Sequence, residues 1–280
     1  MKCIVGYEAT PTGVDAITAG VDLARGLNLE LDVVLVLRHH NEFSQEYPPT
    51  GTNDNILIRQ GFKWLETALE MIPADVSATG HLVSAASTSQ GLVRTARNTG
   101  ADMIVVGAAS TSPLKRHRLG SVAQDLLYGS PVPVALAPRG YRSTGIHRLN
   151  CAVGRRPGSK SLVTVGLRLA EHAELPLRLV ALTTDRDSAL AHTQEVLEKA
   201  VDDSGITLDV AIEIGQGEDV TEAVRSVGWR DGDLLFVGSS RVATSHTVFL
   251  GAVSMKILRE LEVPMIVVPR DYTINHGGSP

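Results

Sequence analysis

The 280-residue sequence predicts an α/β chain built as two tandem doubly wound domains, each a five-stranded parallel sheet with helices on both faces. Three observations carry this. The chain repeats itself, strand-like and helix-like segments alternate along it, and its length suits about two domains at roughly 100–200 residues each.

The repeat is read from landmarks. Asp102, Gly107, Gly120, Pro133, Pro138 and Arg139 recur 131 positions later as Asp233, Gly238, Gly251, Pro264, Pro269 and Arg270. A fixed spacing of this kind marks one structural unit written twice. The stretch from Val5-Gly6 to Pro11 recurs 146 positions later, as Cys151-Ala152 to Pro157. The first copy therefore carries 15 extra residues, and the natural place for them is a loop over 39–55 with the turn residues Tyr47-Pro48-Pro49-Thr50-Gly51. A Gly/Arg/Ser-rich joint over 140–145 separates a first domain, 1–142, from a second, 146–272, followed by a loose tail, 273–280. A pseudo-two-fold axis is expected to relate the copies.

The elements follow in order. Residues 2–7 read as an apolar strand, and 12–27 as a helix with Val14, Ile17, Val21 and Ala24 on one face. Residues 31–37 are a nearly continuous apolar strand of the kind buried on both faces. A helix over 54–72 has Asp54 as its expected cap and Pro73 beyond its end. A strand over 77–83, a helix over 88–98 stopping at Gly100, a strand over 103–107, a helix over 121–128 and a strand over 132–137 complete the first copy. The second has strands over 149–153, 177–182, 207–214, 234–238 and 265–268, with helices over 160–173, 188–201, 218–228 and 252–261 between them. Strands separated by helices imply right-handed crossovers and a parallel sheet. Trp64 and Trp229 fall in the helical segments as packing residues.

Composition narrows the function. With 43% hydrophobic and 20% charged residues the chain is of ordinary globular type. No apolar run approaches the ~18–20 residues of a membrane span, and the first residues read as a strand, not a signal peptide. A net charge of −5 and 4% aromatic residues argue against nucleic acid as a partner. Two cysteines are too few for a disulfide scaffold or a cysteine-rich zinc site. Cys3 and Cys151 lie in strand-like segments, so buried free thiols in a cytoplasmic, reduced protein are expected.

Ligands of open α/β sheets bind outside the carboxyl ends of the strands. After the fourth strand come Gly107-Ala108-Ala109-Ser110, nine residues, and Gly120-Ser121-Val122 at the start of a helix. Gly107 permits a sharp turn or a close approach. The helix start offers backbone N–H groups suited to phosphate, and the Ser121 hydroxyl a hydrogen bond or a cap. Lys115-Arg116-His117-Arg118 is either a cationic lip to this site or a solvated loop. The same pair of readings applies to Arg155-Arg156. His39-His40 and Glu42 lack zinc-ligand spacing. No GxGxxG follows a strand, and no Walker A loop or GxSxG elbow is present.

These residues resemble the universal stress proteins in their tandem two-domain form, over nearly the whole chain. The resemblance rests on the turn Gly6-Tyr7-Glu8-Ala9-Thr10-Pro11, the motif after the fourth strand, and Gly129-Ser130-Pro131-Val132-Pro133-Val134. It implies strand order 3-2-1-4-5 and association through strand five. In the ATP-binding members the motif is Gly, two residues, Gly, nine residues, Gly, Ser or Thr, and an Asp after strand one contacts the ribose. In the first copy Gly107, Gly120 and Ser121 match, Ser110 replaces the middle glycine and Glu8 the aspartate. Carried over, the resemblance implies a site for ATP or another nucleotide of Glu8, Leu37, Val106, Gly107, Ser110, Gly120, Ser121 and Val122. In the second copy Gly238 and Gly251 match, but Arg241, Ala252 and Gly154 stand where the middle glycine, the hydroxyl and the carboxylate would be. ATP is not expected there in the usual way; Arg241 would recruit a different anion or fill the site.

The functional expectation is a non-catalytic, cytoplasmic stress-response module. It would act through an unidentified protein partner or by self-association along strand five or the outer helices. The alternative is a nucleotide-handling enzyme, a slow ATPase or nucleotidyl transferase. That chemistry needs charge positioned at the phosphates, and Asp125, Lys115 and Arg116 are its candidates, with no second acid evidently paired with Asp125.

Overall fold

The computed structural model describes residues 1–38, 52–108, 119–154, 158–183, 186–240, 247–270 and 272. The first half runs β1 (Lys2–Tyr7), α1 (Pro11–Leu27), β2 (Glu30–Arg38), α2 (Thr52–Glu70), β3 (Ala78–Ala85), α3 (Thr88–Thr99), β4 (Met103–Gly107), α4 (Ser121–Leu127) and β5 (Val134–Ala137). The second half runs β6 (Arg148–Val153), α5 (Ser159–Ala173), β7 (Leu177–Thr183), α6 (Arg186–Ser204), β8 (Val210–Gln216), α7 (Val220–Ser226), β9 (Asp233–Gly238), α8 (Ala252–Glu260) and β10 (Met265–Val268).

The two five-stranded sheets are fused. The strand order is β3-β2-β1-β4-β5-β10-β9-β6-β7-β8, so each half has the order 3-2-1-4-5 and the two meet at strand five. Within each half the pairs are parallel, but β5 and β10 run antiparallel, with Val134 opposite Val267, Ala135 opposite Ile266 and Leu136 opposite Met265. A two-fold axis that joins two parallel sheets edge to edge must reverse the touching strands. Ala135 and Ile266 are 131 positions apart, so each faces its own counterpart, and the pseudo-two-fold axis passes between them. The strand-five association implied by the resemblance is thus made inside the chain. β5 and β10 are each paired on both sides, so that edge is closed to a second copy.

Alternation along the strands sorts the core onto two faces. Cys3, Val5 and Tyr7 point to one face with α1, α2, α5 and α6, and Ile4 to the other with α3, α4, α7 and α8. Both core clusters cross the junction, which makes the halves one packed body. The second half also reaches over: Val248 N–H donates to the Ser130 carbonyl at 2.8 Å, Leu250 N–H to the Leu127 carbonyl at 3.0 Å, and the Phe249 ring meets Tyr128 edge-on at 4.9 Å.

The joint is pinned to α1. Asp22, buried, accepts from Tyr141 Oη at 2.8 Å, Ser143 Oγ at 2.6 Å and the N–H groups of Thr144 and Gly145. Asp15, two turns earlier, accepts from Gly140 N–H at 2.9 Å.

Several expectations needed correction. Val14 is 42% exposed, because the buried stripe of α1 runs through Ile17, Val21 and Ala24 and leaves the first turn at its margin. α2 begins at Thr52, so Asp54 lies inside its first turn and is not its cap. Trp64 is 38% exposed on the outer side of α2. Trp229 follows α7, which ends at Ser226, and its indole N–H donates to the Val224 carbonyl at 2.9 Å. The expected tail, 273–280, lies outside the described residues.

Candidate functional site

The chain order brings most of the expected first-half residues to one edge. Glu8 follows β1 and is exposed, Leu37 is the half-buried penultimate residue of β2, and Val106 and Gly107 end β4. Gly120 is the N-cap of α4, and no side chain caps that helix start. Ser121 is the first helical residue and exposed, so its hydroxyl does not serve as the expected cap; Val122 beside it is half-buried. Ser110 and the basic run Lys115–Arg118 lie outside the described residues, as do His39, His40, Glu42, Arg155, Arg156 and Arg241.

The turn after β1 is drawn tight. Thr10 N–H donates to the Glu8 carbonyl at 2.7 Å, and the Thr10 hydroxyl caps α1 by accepting from Gly13 N–H at 3.3 Å. Gly13 is required, since a Cβ there would run into the Glu8 carbonyl oxygen. Gly107 is required for a related reason: a Cβ there would run into the carbonyl of Thr12. The first turn of α1 therefore lies directly against the end of β4, and the crevice between strands one and four is narrowed by backbone.

The second half handles the same turn differently. Ser159 stands where Gly13 would be, and its hydroxyl donates to the Gly154 carbonyl at 2.7 Å and accepts from Gly154 N–H at 3.3 Å. Gly158 stands at the place of Thr12 with φ 107°, a conformation glycine adopts without steric cost. α5 begins at Ser159, two residues later than α1 in the repeat. Among the described residues, the nearest atom to a Cβ added at Gly238, the counterpart of Gly107, is Leu162 Cδ2 at 3.9 Å, and at Gly154 nothing lies within 4 Å. The backbone that closes on Gly107 is held away from Gly238.

The space left is a cavity of about 340 Å³ at the carboxyl ends of β6, β7, β9 and β10. Val153, Leu162, Val165, Val180, Val237 and Ile257 give it an apolar wall; Ser159, Ser161, Ser239, Ser240 and Ser254 supply hydroxyls, and Arg270 one cation. Beside it, Ser240 N–H donates to the Phe249 carbonyl at 2.8 Å and Phe249 N–H to Ser239 Oγ at 3.2 Å. The motif reading missed this wall. The signal was present in the exchange of Thr12-Gly13 for Gly158-Ser159 across the repeat.

The remaining reactive groups are built into the scaffold. Asp125 accepts from Ser89 Oγ of α3 at 2.9 Å. Cys3 and Cys151 are free and fully buried. Burial pushes the Cys151 thiol up to about 12, and burial with Asp102 and Asp32 nearby pushes the Cys3 thiol up as well, so neither is a ready nucleophile. Among the described residues no group of three His, Cys, Asp or Glu side chains could hold a metal ion, and no helix is long and apolar enough to cross a membrane.

Known proteins give the same picture. A model of the universal stress protein family matches residues 1–138 and 145–269 of the chain. Universal stress proteins of Mycobacterium bovis and Mycobacterium tuberculosis are each 27% identical over 294 residues, covering 96% of this chain and all of theirs. The crystal structure of a universal stress protein from Archaeoglobus fulgidus superposes with a TM-score of 0.72 at 17% identity, covering 96% of this chain and 98% of that one. Two consecutive matches to one family, laid over one ten-stranded sheet whose halves repeat the same strand order, show that this chain belongs to the universal stress protein family.

Proposed function

We propose that the chain, read as domains over 1–142 and 146–272, is a non-catalytic stress-response module of the cytoplasm that binds ATP or another nucleotide in its first half. The observation that carries this is the meeting, at one edge of the sheet, of an exposed carboxylate at Glu8, a backbone turn at Gly107, and a helix start at Gly120 without a side-chain cap. Glu8 offers an acceptor for a ribose hydroxyl. The N–H groups of Ser121 and Val122 offer donors for phosphate. The output would pass to a protein partner through the outer helices, since both strands five are already paired.

Of the candidates for the enzyme reading, Asp125 accepts a hydrogen bond from Ser89 Oγ at 2.9 Å. The test is direct. The purified protein is denatured, released small molecules are identified by mass spectrometry, and the ligand-free protein is titrated with ATP by calorimetry. A released nucleotide, or saturable heat, is the expected result. No nucleotide and no heat at millimolar ATP would remove the proposal. Robust magnesium-dependent turnover abolished by Lys115→Ala would replace it with the enzyme.

A further inference from the structure

The fused sheet ends in two strands with a free side, β3 and β8. A free side carries a row of backbone N–H and C=O groups with which another extended segment can pair. Two bonds show which groups these are at β8. Gly217 N–H donates to the Thr183 carbonyl of β7 at 3.4 Å, and Gln216 N–H points the other way, to Ser226 Oγ at 2.9 Å. The direction alternates along a strand, so Val210, Ile212 and Ile214 point their N–H and C=O groups outward. No hydrogen bond among the described residues engages those outward groups. The surroundings of the two edges differ. In the first half Leu31 N–H donates to the Ser77 carbonyl, so by the same alternation Ser84 faces out, and its carbonyl accepts from the Arg94 guanidinium. Over 71–87, β3 and its flanks carry one acid, Asp75, which Arg25 binds. The stretch 202–219, which contains β8, has six carboxylates and no lysine or arginine. Asp203 is paired with Lys160, and Glu213 with Arg178. Asp209, just before β8, and Glu218, just after it, are exposed and in no ion pair among the described residues.

We propose that β8 is a docking edge for an extended basic segment of a partner protein, which adds to the ten-stranded sheet as a further strand. Main-chain bonds to Val210, Ile212 and Ile214 give the affinity. Lysine or arginine side chains near the ends of the added strand meet Asp209 and Glu218 and select the partner. A second copy of β8 is the poorer occupant, because pairing the two would set one carboxylate-rich stretch against another. This edge is separate from the first-half nucleotide site, and the inference does not rest on nucleotide binding.

The test uses the full chain and a peptide of alternating lysine and valine, about seven residues long, followed by NMR and amide hydrogen exchange. The peptide is expected to slow exchange at Val210, Ile212 and Ile214 by about tenfold and to leave Ala78, Gly80 and Leu82 of the other edge unchanged. The same peptide with N-methyl groups on alternate residues keeps the charge but loses the main-chain donors, and should not bind. A peptide of alternating glutamate and valine should not bind either. Proline is tolerated on an edge strand where its missing N–H has no partner. Ile212→Pro should therefore weaken binding by about tenfold or more, with the urea midpoint unchanged. Should Ile212→Pro lower that midpoint, the double variant Asp209→Asn, Glu218→Gln decides: it should weaken the lysine peptide by about fivefold and flatten the salt dependence of binding. Equal binding of the N-methylated or the glutamate peptide would overturn the proposal, as would the absence of protection at β8 with millimolar peptide. A dimer in sedimentation without peptide, lost in Ile212→Pro, would overturn it in favour of a second copy. None of these outcomes bears on ATP binding at Gly120.

Discussion

Near the amino ends of the strands, the first half places Asp32 on β2 beside His81 on β3, 3.0 Å apart. At the matching positions the second half places Arg178 on β7 beside Glu213 on β8, in ion-pair contact. The acidic and basic side chains change strands between the halves, and so does their satisfaction. Arg178, 2% exposed, also donates to Asn150 at 2.6 Å, to the Gly228 carbonyl at 3.2 Å and to Asp233 at 3.3 Å, and it lies over the Trp229 ring at 5.3 Å. Asp233 in turn accepts two bonds from Arg148, at 2.6 and 2.8 Å, and one from Arg230 N–H. Asp32 keeps one buried oxygen with no hydrogen-bond partner among the described residues. At the carboxyl ends the order is inverted: the first half is tightly closed at Gly107, and the second is open. One scaffold has thus been stiffened at opposite ends in its two copies.

The largest effect that would break this comparison is at Arg178. Arg178→Ala leaves Asp233 and Glu213 without their shared cation and should cost about 3–5 kcal/mol in urea unfolding. Asp32→Ala removes a half-satisfied carboxylate and should cost no more than about 1 kcal/mol. Equal costs would mean that the two amino ends are equivalent.

Asp22→Ala comes next. It strands the donors of Tyr141, Ser143, Thr144 and Gly145, at about 1–3 kcal/mol for buried groups left unpaired. The matching position on α5 is Arg168, which no described joint follows, so Arg168→Ala should change stability by no more than about 0.5 kcal/mol. The glycine pair tests the carboxyl ends. Gly107→Ala drives a methyl into the Thr12 carbonyl and should cost about 1–3 kcal/mol. Gly238→Ala finds 3.9 Å of room and should stay within about 0.5 kcal/mol.

The smallest effect is on pH dependence. Burial pushes the Asp233 carboxyl up, but hydrogen bonds from Arg148, Arg230 N–H and Asn150 outweigh it and leave it below its ordinary 3.8. A depressed carboxylate stabilises the fold above its ordinary value and loses that contribution as pH falls below it. Acid unfolding below pH 3.8 should therefore be less steep in Asp233→Asn than in the native chain. An unchanged slope would remove Asp233 from the account.

The alternation of strands and helices and the duplication were legible because they rest on periodicity and repeated landmarks; the strand order and the strand-five contact were implied only by the family resemblance. β1, β4 and β10 have the expected bounds, and Gly100 ends α3 in the left-handed conformation at φ 66°. The fusion into one sheet was not legible, because no residue pattern in β5 or β10 states which chain will pair with it. The buried Arg178 network was hidden because its members come from four strands and a loop, and polar residues such as Asn150 interrupt the apolar pattern that sequence reading follows. The cavity was hidden because a glycine at a strand end signals a turn whether or not the turn closes. Only the contacts of Gly107 and Gly238 distinguish the two.

The central claim is that the two halves divide the ligand work, and one calorimetric comparison tests it most directly. ATP is titrated into the native chain, into Gly120→Trp and into Gly251→Trp, each with its urea midpoint measured alongside. The expected result is binding in the native chain and in Gly251→Trp, and its loss in Gly120→Trp. Binding that survives Gly120→Trp and disappears in Gly251→Trp would contradict the account and move the nucleotide to the second half.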